Sequence, residues 1–350
     1  MLFIAYDCDN KAVWNALKLH VEFVKELEDN VSFLVYKSYY NIVKMDYPDK
    51  NIYTYTSLFD LMVKLIQIKE TNIFSPVIFS TLAAFPSKIF KFKKVYYWVQ
   101  GSIPEESFLK HQSKPKYHIL STLEYLALSA SSKNIFVSTH MQFYLEQKYH
   151  KNFNKSIIVP CISEFSYDGL EKEKDSFVYI GGMSAWQRVD IMLQMFNQIL
   201  EYKPNARLYI ATLEKEVAQK EVEKYLDSKY LNSIEILSIT NRAEISSFLS
   251  TKEYGFLIRE DIVVNNVSSP IKLAEYLSCG VNVIISDAVK SYAPIVEKQK
   301  AGISMNSAEN IVEKLKSFTH NTSNAIDVYQ KYFSKEEQLN SYNMLLNRKE

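Results

Sequence analysis

Residues Tyr254–Asp287, YGFLIREDIVVNNVSSPIKLAEYLSCGVNVIISD, decide how this chain is read. Tyr254–Ile258 is an apolar run too short for a helix and rich in strand formers. Arg259–Asn266 is a polar loop. Ser268 or Ser269 is placed to cap a helix carrying Pro270 in its first turn, where the missing N–H has no helical acceptor to lose. The helix runs to about Cys279 and stops at Gly280, and Val281–Ser286 is a second strand. Strand, loop, helix and strand form one unit of a parallel sheet. The loop then lies at the carboxyl end of its strand, where such sheets bind ligands.

The chemistry of the loop suits a phosphate. Free N–H groups and the positive end of the helix dipole face whatever precedes Ser269. Arg259 and Lys272 add full charges, and Glu275, three residues after Lys272 on the same side of the helix, can accept hydrogen bonds from a ribose. An ordinary βαβ unit with a solvated, charged first turn satisfies the same spacing, so the residues alone leave both readings open.

Working outward, SSPIKLAEYLSCGVNVI resembles the donor-site segment of family-four retaining glycosyltransferases, in particular the bacterial surface-polysaccharide branch with its S-P-x-K-x-x-E-Y-L-x-x-G pattern. YIGGMSAWQRVDIMLQMF, Tyr179–Phe196, resembles the strand, glycine turn and "WQ" helix start of that branch. QGSIPEES, VSTHM and VPC, between Gln100 and Cys161, agree. The resemblance spans roughly two thirds of the chain and is weak over the first ninety or so residues.

The resemblance implies an α/β chain of the GT-B fold: two doubly wound Rossmann-like domains facing a cleft, with a C-terminal helix crossing back to the first. Residues 1–165 are expected to bind the acceptor, 166–330 the nucleotide-sugar donor, and 331–350 to form the crossover helix. It implies transfer, with retention, from a UDP- or GDP-type sugar to a saccharide or lipid-linked saccharide in surface-polysaccharide synthesis. Gly181, Gly182, Arg188, Arg259, Ser269, Lys272 and Glu275 would hold the donor, with no metal and no cofactor. Retention in that family is described as front-side attack with the leaving phosphate assisting deprotonation, so no protein nucleophile is expected. Two departures stand out. The first of the family's two glutamates, eight positions before Glu275, is Val267, and the basic pair after the glycine turn is replaced by Gly182 and Gln187, with Arg188 adjacent as a substitute. These losses keep open a non-catalytic GT-B subunit that binds and scaffolds an active partner; a nucleotide-sugar epimerase of the same fold is a separate alternative.

Length and composition are consistent with two cores: 350 residues, 47 % apolar, with no run of the roughly eighteen apolar residues that a spanning helix needs. Leu2–Tyr6 is too short for a signal h-region and is followed at once by Asp7 and Asp9, so cytoplasmic residence is expected. Cys8, Cys161 and Cys279 lack metal spacing and read as reduced core residues. A balance of 41 basic against 40 acidic residues argues against a nucleic-acid partner.

In the first half, Leu2–Tyr6 is a strand and the helix after it is capped by Asp9 or Asn10, with Trp14 either a sugar platform or core. Val31–Tyr36, Ile52–Thr56, Asn72–Ser80 and Val95–Gln100 read as strands, Leu58–Lys69 and Thr81–Phe90 as helices. Lys88–Lys94, KIFKFKK, interleaves cations with aromatics. It fits either a solvated helix end or a patch resting on the inner membrane face. Gln100, Glu105 and Glu106, at a strand end and helix start, are acceptor-side candidates, a carboxylate there serving as base or hydroxyl ligand. Acids at a helix start also have a purely local reason. His140 either meets donor phosphates or simply begins a helix. Ser163–Ser176 reads as a polar linker. In the second half, Phe177–Gly182, Ala206–Thr212 and Ile234–Ile239 read as strands, Gln187–Tyr202, Glu244–Leu249 and Ala308–Thr319 as helices. Asn324–Arg348 reads as helical, with Ser334 as an internal cap.

Overall fold

The structure, a computed structural model, describes residues 1–28 and 30–346. It divides into two compact units, Met1–Pro160 with Gln338 onward, and Cys161–Glu337. The part of the expected C-terminal helix beyond residue 346 lies outside the described residues.

The first unit runs β1 (Leu2–Ala5), α1 (Lys11–Leu27), β2 (Ser32–Tyr36), α2 (Tyr40–Asp46), β3 (Asn51–Tyr55), α3 (Leu58–Gln67), β4 (Asn72–Ser75), α4 (Ile78–Lys91), β5 (Lys94–Val99), α5 (Ile103–His111), α6 (Lys114–Ala130), β6 (Lys133–Phe136), α7 (Thr139–Tyr149) and β7 (Ser156–Ile158). Its seven strands are ordered β3-β2-β1-β4-β5-β6-β7, all parallel. Alternation along β1 explains the layers. Leu2 and Ile4 pack under α3 and α4 with Leu61, Leu65 and Ala84, while Phe3 turns to the other face against Phe33 and Phe74.

One expectation is corrected here, and two open alternatives are resolved. The strand from Asn72 ends at Ser75, and α4 begins at Ile78. Pro76 has no N–H to continue the ladder, and the hydroxyls of Ser75, Ser80 and Thr81 bond one another and the Val77 carbonyl, turning the chain. Trp14 is core, 4 % exposed: it donates to Asp46 at 2.7 Å and meets Phe33 and Tyr47 edge-on, so it offers no stacking platform. The cap of α1 is Asn10, whose side chain accepts from the Ala12 N–H.

The second unit runs β8 (Glu173–Ile180), α8 (Val189–Tyr202), β9 (Arg207–Ala211), α9 (Lys215–Tyr225), β10 (Ile234–Leu237), α10 (Arg242–Ser250), β11 (Lys252–Leu257), α11 (Val263–Asn266), α12 (Ile271–Ser278), β12 (Asn282–Ile285), α13 (Ala293–Lys298), β13 (Gly302–Ser304), α14 (Ile311–Ser317) and α15 (Thr322–Phe333). The strand order is β10-β9-β8-β11-β12-β13, again all parallel. Phe177 and Tyr179 of β8 enter one core with residues of α8, α9 and α14. Val178 and Ile180 enter another with α10, α12, α13 and α15. Helices therefore cover both faces, as parallel sheets require. The strand β8 starts at Glu173, inside the stretch read as linker, because Glu173 is held by Tyr209 and Lys252. The last helical stretch breaks in two at Ser334. Its hydroxyl accepts the Glu337 N–H at 3.3 Å, and α16 (Lys335–Leu346) follows, returning the chain to the first unit.

Both sheets are doubly wound: the order reverses beside β1 in the first and beside β8 in the second. Ligands of such sheets lie outside the carboxyl ends of the strands at that reversal. In the second unit the two strands concerned are β8 and β11, whose ends carry Gly181 and Arg259.

Candidate donor site at the sheet reversal

Tyr276 fuses the three elements that build the site. It is fully buried on α12, accepts the Ile180 N–H of β8 at 3.0 Å and donates to the Phe256 carbonyl of β11 at 3.3 Å. A side chain at Gly255 would lie 2.8 Å from its ring, which explains a glycine inside a central strand. One turn earlier on α12, Lys272 passes the end of β8. Its ammonium lies 4.4 Å from the Tyr179 ring centre and donates to the Gln187 side-chain oxygen at 3.1 Å and to the Tyr179 hydroxyl at 3.3 Å. A Cβ on Gly181 would sit 2.1 Å from that ammonium, and Gly181 has φ +137°, so only glycine fits there.

The charges of this cluster are poorly compensated. Burial, with help from the neighbouring Arg259, lowers the Lys272 pKa to about 7, against a weaker opposing pull from Glu275. Burial also holds Arg259 below its ordinary value, and its Nε is buried without an acceptor among the described residues. Its backbone N–H is held by the Ser286 hydroxyl at 2.9 Å. Glu275, 8 % exposed, is pushed up by burial against Arg242 and Lys272. Two half-desolvated cations with spare donors can take an anion bearing several acceptor oxygens.

Other expected donor residues are placed differently. Arg188 turns its guanidinium onto Asp190 at 3.0 Å, and it is Gln187 that reaches Lys272. Ser269 does not cap α12: its hydroxyl accepts the Cys161 N–H at 3.0 Å, while Ser268 bonds the Asn265 carbonyl. Pro270 precedes the helix and lends no side-chain cap. Val267, at the position of the absent glutamate, is buried. The space over Gly182 holds the carboxylate of Glu214, a residue the sequence reading did not single out.

In the first unit the four candidates separate. Glu105 is consumed by structure: it accepts from Tyr144 at 2.6 Å and Tyr117 at 3.1 Å and pairs with Lys148 at 2.8 Å, which also pairs with buried Glu124 at 3.0 Å. Burial works to raise its pKa, but the bonds from Lys148, Ser102 and Tyr144 outweigh that and hold it low. Glu106 is left over. Burial pushes its pKa up, with Glu105 adding to the rise against Lys110, and the carboxyl oxygen would lie 2.2 Å from a Cβ on Gly101. Gln100 donates to the Pro76 carbonyl at 3.1 Å, at the end of β4 beside the sheet reversal. His140 lies in the first turn of α7, its ring 5.9 Å from Phe143.

Residues 164–336 match the family described as Glycosyl transferases group 1. No curated protein matches the chain in sequence. Among solved structures it is similar to HepE of Anabaena in complex with UDP (13 % identity, 99 % of each chain, TM-score 0.72), a protein also solved with UDP-glucose. It is similar to a glycosyltransferase from Rickettsia africae (11 %, 99 % of this chain and 98 % of that one, 0.72). The third is sucrose-phosphate synthase from Thermosynechococcus elongatus (13 %, 99 % and 98 %, 0.70). The likeness runs over both units, which have the GT-B fold.

Proposed function

We propose that the chain is a retaining glycosyltransferase that moves a sugar from a UDP-type donor to a saccharide or lipid-linked saccharide in bacterial surface-polysaccharide synthesis. The observation that carries this reading is the pair Lys272 and Arg259, two under-compensated cations at the reversal of the second sheet inside the segment that matches the group 1 family. Sugar transfer leaves a nucleoside diphosphate, and negative charge grows on it as the glycosidic bond breaks. Lys272 and Arg259 neutralise that charge, more strongly for being out of water. Glu275 supplies an acceptor for ribose hydroxyls. Glu106 is the acceptor-side carboxylate with capacity to spare, since Glu105 is spent on Lys148 and two tyrosines. UDP is favoured over GDP by the ligands of HepE.

The exposed end of α4 supports membrane contact by the same molecule. Phe92 is 89 % and Phe90 70 % exposed. Lys91 and Lys94 beside them are exposed, whereas Lys88 and Lys93 are occupied with the carbonyls ending α6 and α3.

The decisive experiment is calorimetric titration with UDP, GDP and their sugars, together with transfer assays, on wild type and Lys272→Ala. Binding of one nucleotide, lost with turnover in the variant by about 2–4 kcal/mol, is the expected result. Equal turnover by both proteins would sink the assignment, and nucleotide silence in both would favour a scaffold subunit.

A further inference from the structure

The glycine turn after β8 is enclosed by side chains of opposite sign. On one side lies the Lys272 ammonium, against Gly181. On the other, the Glu214 carboxylate accepts the Met183 N–H at 2.7 Å, and the same oxygen would lie 2.8 Å from a Cβ on Gly182. Among the described residues no acceptor meets the N–H groups of Gly182 and Ser184. Glu214 itself is exposed, immediately before α9, and Met183 is the one hydrogen-bond donor its carboxylate meets among the described residues. Successive N–H groups at a turn form a concavity for an anion. Here the chain's own carboxylate takes one of them.

We propose that the turn Gly181–Ser184 is an anion seat filled by Glu214 in the free protein and taken over by a phosphate of the donor, so that Glu214 sets donor affinity by occupying the seat. This rests on the nucleotide-sugar reading of the site. A carboxylate and a phosphate cannot share one N–H, and their like charges repel. A phosphate brings more charge and more acceptors, and the N–H groups of Gly182 and Ser184 beside Met183 are not otherwise engaged among the described residues. Release of Glu214 gives up a single solvent-exposed hydrogen bond, so the exchange is cheap in the donor's presence and closes the seat in its absence. Gly182 serves this exchange because any side chain there would push the carboxylate off the turn.

The test is titration of wild type, Glu214→Ala and Glu214→Gln with UDP, and in parallel with inorganic pyrophosphate, which needs the seat and its cations but no base or ribose subsite. UDP and pyrophosphate are expected to bind Glu214→Ala about three- to tenfold more tightly than wild type, the worth of one charge-assisted hydrogen bond no longer in competition. Glu214→Gln, which keeps an acceptor but loses the charge, is expected between them. Unchanged or weaker binding by Glu214→Ala with an unchanged Tm overturns the proposal. Pyrophosphate binding without UDP binding would fail the nucleotide reading while leaving the seat intact. No binding of either by any of the three proteins overturns both.

Discussion

Lys272 is a lysine whose surroundings make its charge conditional. Its pKa falls from 10.5 to about 7 through burial first and Arg259 second. Between those two values the unfolded chain holds a proton that the folded protein does not. Stability therefore rises with pH across that window, and the cost of the buried charge is felt below it. A bound diphosphate reverses the balance, because an anion beside the amine favours its charged form. At pH 8 nucleotide binding should then take up a proton, and affinity should weaken as pH climbs above about 7, by at most tenfold per unit. Calorimetry in two buffers of different ionisation enthalpy reads the proton directly. The same buffer dependence in Lys272→Met would remove Lys272 as its source, and Lys272→Met should itself melt no lower than wild type, since it replaces a half-buried cation by an apolar side chain of similar length.

At the scale of elements, α4 makes a prediction of its own. Its end exposes Phe90 and Phe92 with Lys91 between them, and Phe92 stands out in a left-handed cap at φ +53°. Aromatics beside cations suit the headgroup layer of an anionic bilayer. Flotation with phosphatidylserine-containing vesicles should recover the wild type and lose Phe90→Ser/Phe92→Ser, each ring contributing about 1.5–3 kcal/mol if buried. Equal recovery of both proteins would show that the patch does not hold the membrane. Elements were legible in the sequence to uneven degrees. The strand, loop and helix around Lys272 could be read because propensity, Pro270 and Gly280 agree locally. The partner of Ser269 could not, since it is the Cys161 N–H, 108 residues away in the chain. The helix α9 escaped notice because KEVAQKEVEKY buries only Ala218 and Val222, a stripe too thin for periodicity to reveal. Glu214 escaped with it, being the residue just before that helix. Glu105 and Glu106 look alike in sequence; Lys148, Tyr117 and Tyr144 are what separate them.

For the whole molecule, each unit has its own parallel sheet and its own core, and the chain enters the first unit twice, at Met1 and again at Gln338. The second entry is held by α16. Tyr342 is fully buried, its hydroxyl bonded to the His20 ring and its own ring 5.5 Å from Phe23. Lys133 donates to the carbonyls of Met344 and Leu345 at 3.0 and 2.6 Å, closing the helix end. Burial lowers the His20 pKa from 6.5 to about 3, so the unfolded chain binds a proton there first, and the first unit should lose stability as pH falls below 6.5. Tyr342→Ala empties this position and leaves His20 without its hydroxyl partner. It should cost the first unit about 3–5 kcal/mol, whereas the residues proposed to hold the nucleotide all belong to the second. Differential scanning calorimetry with and without UDP separates the two effects. The nucleotide should raise one transition, Tyr342→Ala should lower the other, and UDP affinity below the first transition should match wild type. A single transition moved by both would mean that the units melt as one cooperative body, and that α16 stabilises the second unit as much as the one in which it lies.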